Sequence, residues 1–195
     1  MRRARIAAMA EAAFLTNQFL IAMPTMADPN FARGVTYVCQ HTADGAMGLM
    51  INRLSDYKLG DVLAQMKLTT EIAAVAQAPV YIGGPVNPER GFVLHEPGGE
   101  WDSSFRINER LAVTTSRDIL VAMAEGGGPT RYLVALGYSG WSPGQLEQEM
   151  CDNAWLTTDA ELELIFRTPL EQRWNAAVAL VGVNLSALSD YAGHA

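Results

Sequence analysis

Few residues in this sequence belong to the types that build redox, zinc or disulfide centres. Cysteine occurs twice, as Cys39 and Cys151, and histidine occurs three times in 195 residues. The two cysteines lie far apart and show no CxxC or CxxH spacing, which argues against a zinc site and a disulfide framework. We therefore expect a reducing compartment, the cytoplasm, and no metal.

Positive charge is also scarce. The chain carries 14 Lys and Arg against 21 Asp and Glu, a formal net charge of −7. Three of the positive charges, Arg2, Arg3 and Arg5, stand at the very start, so the rest of the chain carries −10. Such a balance opposes sequence-independent contact with the phosphate backbone, so direct nucleic-acid binding is not expected.

Long apolar runs are missing as well, and we predict no membrane segment. The basic start resembles a secretory signal, but Glu11 and the polar group Thr16, Asn17 and Gln18 interrupt it. We interpret residues 1–14 as a flexible or helical extension and residues 15–195 as one domain.

Hydrophobic residues make up 49% of the chain and charged residues 18%, which is typical of a globular domain. Short runs rich in Val, Ile, Tyr and Phe predict strands, and Ala43-Asp44-Gly45 predicts a hairpin between the second and third. The predicted strands cover residues 18–22, 35–41, 46–51, 80–83, 91–95, 111–114, 131–136 and 162–166. The fold class is α/β (α+β), a mixed β-sheet flanked by helices.

Capping signals predict three helices. One covers residues 115–125 and stops at a triple glycine. A second has Ser142 as its cap, Pro143 at its first helical position and Gln145 able to reach back to the cap, and it runs to about residue 153. A third follows Thr168-Pro169 and ends at Gly182, and a weaker pattern covers residues 59–66 with a continuation over 71–77.

The segment Gly137-Tyr138-Ser139-Gly140-Trp141 stands between a predicted strand and a predicted helix, as a nucleophilic serine does in a nucleophile elbow. Two features oppose that reading. Trp141 occupies the place of the second glycine of G-x-S-x-G, and only His194 follows the serine. We therefore favour a structural turn, and we interpret His41 and His95 as hydrogen-bonded structural residues.

Seven acidic residues and one basic residue, Arg167, lie between Gln145 and Glu171. Such a run indicates either a solvated helix face or a docking surface for a basic partner.

Several segments in order together resemble the AlgH/YqgE family of bacterial, cytosolic, largely uncharacterised proteins. They are Phe19-Leu20-Ile21-Ala22-Met23-Pro24, Gly45-Ala46-Met47-Gly48 with Ile51-Asn52, Gly83-Gly84-Pro85-Val86, residues 90–95, and residues 137–147 with 153–156. The resemblance implies a compact α/β fold with a mixed sheet and no established enzymatic activity. Ser139 and Leu54 depart from the alanine and proline common in the family.

One branch of that family carries the description of a transcriptional regulator of alginate production. No helix-turn-helix pattern or basic stripe accompanies it here, so regulation would act through a protein partner. We predict a regulatory or interaction protein without catalytic residues or cofactor. The alternative is a small-molecule or anion-binding protein, or an enzyme, that uses the turn over residues 137–144. The candidate binding residues are Asn52, Arg90, Gly137, Tyr138, Trp141, Ser142, Gln145, Glu147 and Glu149.

Overall fold

A ten-stranded sheet organises residues 14–182, the part of the chain that the computed structural model describes. The strands are β1 Gln18–Ala22, β2 Val35–Thr42, β3 Gly45–Met50, β4 Leu54–Lys58, β5 Pro79–Ile82, β6 Val86–His95, β7 Ser104–Arg106, β8 Ala112–Thr114, β9 Tyr132–Trp141 and β10 Trp155–Asp159. The helices are α1 Leu59–Gln65, α2 Ala73–Ala76, α3 Arg117–Ala124, α4 Gln145–Cys151, α5 Leu162–Phe166 and α6 Arg173–Val181, with a 3₁₀ turn over Leu170–Gln172. The predicted extension lies outside this part except for Phe14.

Strand β9 lies at the centre of the sheet. The order is β10-β1-β2-β3-β9-β6-β8-β7, and β5, which also pairs with β4, joins β9 as a parallel neighbour. The other described pairs are antiparallel. The predicted mixed sheet flanked by helices is therefore confirmed.

Side chains alternate between two buried faces of the sheet. In β1, Phe19 and Ile21 join a cluster covered by α5 and α6, whereas Leu20 and Ala22 join a second cluster under α4. On β6 and β9, Val93 and Val134 face a third cluster under α1 and α3. Helices thus cover both faces, which explains why residues 19–22 of β1, 92–94 of β6 and 133–136 of β9 are apolar without alternation.

The first three predicted strands are confirmed to within one residue. Thr42 pairs with Gly45, so the predicted hairpin is also confirmed. Leu54, one of the two residues that depart from the family pattern, begins the exposed strand β4.

Residues 162–166 form helix α5, so the predicted strand there is wrong. A five-residue run with four apolar side chains does not distinguish the two structures, and here Leu162, Leu164 and Ile165 pack into the cluster that also contains Phe19 and Ile21. The backbone N–H groups of Leu164 and Ile165 donate to the Glu161 carbonyl. The edge strand beside β1 is β10 instead, a strand that was not predicted.

Candidate functional site

The glycine-rich segment of residues 137–141 is part of strand β9, so the predicted turn is wrong over these residues. The first half of β9 pairs with β5 and β6, and Ser139–Trp141 pair with β3. Gly137 has φ 70° where the strand changes neighbours, and a Cβ there would lie 2.5 Å from the Gly84 carbonyl oxygen. Pairing with β3, a contact distant in sequence, keeps the segment extended.

Ser139 is fully buried in this strand. Its hydroxyl donates a hydrogen bond to the Gly83 carbonyl over 3.2 Å. The Ser139 hydroxyl therefore takes part in the contact between β9 and Gly83.

The chain turns one step later, at residues 142–145. Gln145 N donates to the Ser142 carbonyl over 3.0 Å, and Gly144 has φ 76° and ψ −7°, the geometry of a type II turn with Pro143 at its second position. Because Gly144 is left-handed, α4 begins at Gln145 and not at Pro143 as predicted. The predicted reach of Gln145 is confirmed, since its Oε1 accepts from Ser142 N over 3.0 Å.

Glu149 holds two tryptophans together. Its Oε2 accepts from Trp141 Nε1 over 2.9 Å and from Trp155 Nε1 over 2.8 Å, while Oε1 accepts from Gln145 Nε2 over 3.0 Å. Both indoles are buried, and Phe31 packs against them. This group of Trp141, Gln145, Glu149 and Trp155, the Glu149 clamp, fastens α4 to the sheet.

Glu147 is also engaged within the chain. His41, 3% exposed, accepts from Leu15 N at Nδ1 over 3.1 Å. Its proton therefore resides on Nε2, which donates to Glu147 Oε1 over 3.1 Å. The two carboxylates expected at the centre of a docking surface thus both bind internal donors.

Asn52 supports the loop before β2 and does not line the groove that other candidates share. Its Oδ1 accepts from Val35 N over 2.8 Å and its Nδ2 donates to the Arg33 carbonyl over 2.9 Å. By contrast, four candidate residues line one open groove of 690 Å³ across β2, β3, β6 and β9. These are Arg90, Tyr138, Trp141 and Ser142.

A more enclosed cavity of 620 Å³, here named the α1–α3 cavity, lies between α1, α3, β6 and β9. Its apolar wall includes Val62, Met66, Phe92, Leu120, Val134 and Leu136. Its polar lining includes Tyr57, Gln65, Glu89, Arg90, Thr115, Ser116 and Arg117. Arg90 lines both the open groove and this cavity, so it stands between the two.

Two arginines give the α1–α3 cavity its positive charge. The Arg90 guanidinium lies 5.5 Å from the centre of the Phe92 ring, and Arg117 Nη2 donates to the Met66 carbonyl over 3.2 Å. Among residues 14–182 the ion pairs join other side chains, so neither guanidinium has a carboxylate within 4.0 Å. One carboxylate, that of Glu89, also lines the cavity.

Arg117 is not among the candidate residues predicted from the sequence, although one signal was available. Arg117 is the first residue of α3, and a cation in the first turn opposes the helix dipole. A charge that does not favour its own helix is a reason to look for another role. Ser116, also missed, directly precedes Arg117, whereas Tyr57 and Gln65 meet it only through the tertiary structure.

Behind the cavity, His95 belongs to a buried chain of hydrogen bonds. Its Nδ1 donates to the Glu96 carbonyl over 2.8 Å, so its Nε2 accepts from Thr114 Oγ1, also over 2.8 Å. Ser104 Oγ is 2.6 Å from the same Thr114 oxygen. Burial lowers the pKa of His95, which favours the neutral ring. The predicted structural roles of His41 and His95 are thereby confirmed.

Within residues 14–182, no group of three His, Cys, Asp or Glu side chains is arranged to hold a metal ion. None of the helices in that range combines the length and apolar character needed to cross a membrane. Cys39 and Cys151 are both free, and burial raises the pKa of the Cys39 thiol.

Comparison with known proteins identifies the family. The AlgH-like family model matches residues 19–186. A UPF0301 protein of Methylococcus capsulatus is 55% identical over 184 residues, which cover 94% of this chain and 98% of the relative. A UPF0301 protein of Thioalkalivibrio sulfidiphilus is 57% identical over 180 residues, 92% of this chain and 96% of the relative.

A solved structure agrees. The solution structure of the AlgH protein from Pseudomonas aeruginosa matches with a TM-score of 0.78 and 50% identity, over 94% of this chain and 97% of that one. The match supports the same sheet and helix arrangement. The chain therefore belongs to the AlgH-like family, as its motifs had indicated.

Proposed function

We propose that this protein binds a small amphipathic anion in the α1–α3 cavity. The observation that carries the proposal is the pair Arg90 and Arg117 on the lining of a 620 Å³ cavity with an apolar wall. The proposal keeps Arg90 from the candidate residues and moves the binding site from the turn at residues 137–144 to this cavity.

The size and chemistry of the cavity support a small ligand. Ligand pockets typically have volumes of about 300–1,000 Å³, mostly apolar linings and a few polar groups that fix orientation. Here Val62, Leu120 and Val134 supply apolar surface for a hydrocarbon portion. The guanidinium groups supply planar forks that suit a carboxylate or phosphate, and Ser116 and Gln65 add polar groups beside them.

The test uses octanoate as the anionic probe and octanamide as its uncharged analogue. We expect octanoate to raise the Tm, because a ligand at 100 times its Kd adds about 2.7 kcal/mol to stability. Octanamide should bind more weakly by at least about tenfold, since it lacks the charge that the arginines recognise. Isothermal titration calorimetry measures both affinities.

Variants locate the site. Arg90→Gln and Arg117→Gln should each weaken octanoate binding about tenfold, the value of one charge-assisted hydrogen bond. Val62→Trp should block the cavity for both probes. Arg106→Gln, an exposed arginine on β7, is the matched control and should bind as the wild type does. Equal affinity of the wild type and both cavity variants would refute the assignment.

A second candidate is a regulatory role in the cytoplasm through a basic protein partner. It is supported by the net charge of −7 and by three exposed acids near α4 and α5. These are Asp152, Glu161 and Glu171, and none of them takes part in an ion pair within residues 14–182. If a basic partner docks there, Asp152→Lys with Glu161→Lys should abolish its capture from lysate. These changes leave the internal bonds of Glu147 and Glu149 intact, and unchanged capture would exclude this surface.

A further inference from the structure

Arg173, the first residue of α6, is a buried cation. Only 5% of the residue is exposed. Its Nε donates to the Thr168 carbonyl over 2.9 Å, its Nη1 donates to the Ile51 carbonyl, and its guanidinium lies 5.2 Å from the centre of the Tyr81 ring. These bonds use two of its five N–H groups.

No carboxylate of residues 14–182 lies within 4.0 Å of Arg173. Arg131 provides the contrast, because it is more exposed and yet pairs with both Glu96 and Glu163. A buried charge without a counter-ion is costly, and backbone carbonyls offset only part of that cost. The buried guanidinium is therefore prepared for an anion that this part of the chain does not supply.

A cleft of 370 Å³ opens beside this guanidinium, here named the Arg173 cleft. Its lining includes Ala74, Gln77, Tyr81, Tyr132, Phe166 and Arg173. Three of these are aromatic, so a planar ring could pack against them while an acidic substituent meets the guanidinium.

We infer that the Arg173 cleft binds a small aromatic carboxylate, with the carboxylate on the Arg173 guanidinium and the ring among Tyr81, Tyr132 and Phe166. The site is separate from the α1–α3 cavity, because the two share no lining residue. The inference does not depend on the proposed function.

The test uses benzoate, with benzamide as the uncharged ring and inorganic phosphate as the anion without a ring. On the full chain, we expect benzoate to bind at least about tenfold more tightly than either control probe. The side-chain NMR signals of Arg173 and Tyr132 should shift with benzoate. Equal binding of benzamide, or no benzoate binding at about 10 mM, would overturn the inference.

Two variants address the site without relying on one fold-sensitive residue. Arg173→Gln should weaken benzoate binding about tenfold or more. Ala74→Phe, on the exposed side of α2, should block the cleft while leaving Arg173 untouched. Ala73→Phe on the same helix is the matched control and should bind normally. Benzoate affinity that survives Ala74→Phe would contradict the assignment.

Variants at one site test that proposal independently of the other. The double variant Arg90→Gln/Arg117→Gln should lose octanoate and keep benzoate, and Ala74→Phe should do the reverse. If the double variant loses benzoate as well, benzoate occupies the α1–α3 cavity and the Arg173 inference is wrong.

Discussion

Replacing Glu149 by leucine should destabilise the fold far more than an ordinary change on a helix surface. One carboxylate oxygen accepts from Trp141 and Trp155, which are 6% and 4% exposed. Leucine leaves both buried indole N–H groups without an acceptor, at about 1–3 kcal/mol each. Because Glu149 is half-buried and water can replace part of its role, we expect a loss of about 2–5 kcal/mol in the free energy of unfolding.

The assay is equilibrium unfolding in urea, followed by tryptophan fluorescence, with the slope compared between variants to verify two-state behaviour. Glu149→Gln retains one acceptor oxygen and should lose less than Glu149→Leu. Gln148→Leu, an exposed neighbour on α4, should change stability by no more than about 0.5 kcal/mol.

A double-mutant cycle separates the clamp from general packing. Trp155→Phe removes one of the two N–H donors, so Glu149→Leu should cost about 1–2 kcal/mol less in that background. A loss below about 1 kcal/mol in the wild-type background, or no coupling with Trp155, would refute the reasoning.

Three further predictions concern the fold. The pKa of His95 in the folded protein lies below its usual value of 6.5, so the unfolded chain binds the proton more readily. The free energy of unfolding should therefore be constant above about pH 6.5 and decrease at lower pH, by at most about 1.4 kcal/mol per pH unit. His95→Gln should remove this part of the pH dependence in urea titrations. Gly137→Ala should lower the free energy of unfolding by about 2–4 kcal/mol, since it adds a clash to a left-handed backbone. Gly144→Ala has a similar φ but open space around the new Cβ, so it should lower the free energy of unfolding by only about 1–2 kcal/mol. Similar losses for the two variants in urea unfolding would contradict this account. Ellman's reagent should titrate the exposed Cys151 in the native protein and the buried Cys39 only after denaturation, and rapid native reaction of both would be inconsistent with the packing.

Local signals predicted the elements whose causes are local. The helix predicted over residues 115–125 is present as Arg117–Ala124 and stops before its glycines, and Gly182 ends α6 with φ 74° as expected. The β2–β3 hairpin follows from its turn. The predictions failed where residues distant in sequence determine the local structure. Strand β9 stays extended through Trp141 because β3 pairs with it, and no local pattern contains that information.

The same distinction between local and distant causes applies to the residues of the candidate site. Arg90 was predicted, but Arg117 joins it only because α3 folds over β6 and β9. The acidic residues of α4 were visible in the sequence, whereas their indole and imidazole partners were not assigned. Charge alone could not distinguish a docking surface from an internal clamp, because both require the same residues.

Several of the segments that identify the family have structural explanations in this chain, whereas residues 90–95 also contain the proposed ligand-binding residue Arg90. Gly83 and Gly84 allow their backbone to lie against Gly137 and Tyr138, where a Cβ at Gly83 would come within 2.3 Å of the Gly137 carbonyl oxygen. The segment from Trp141 to Trp155 builds the Glu149 clamp. A match to these segments therefore carries the fold from one protein to another, and it is no evidence for a shared regulatory role. Arg117 and Arg173 lie outside the segments that first indicated the family, so comparisons of function should begin with the residues around these two cations.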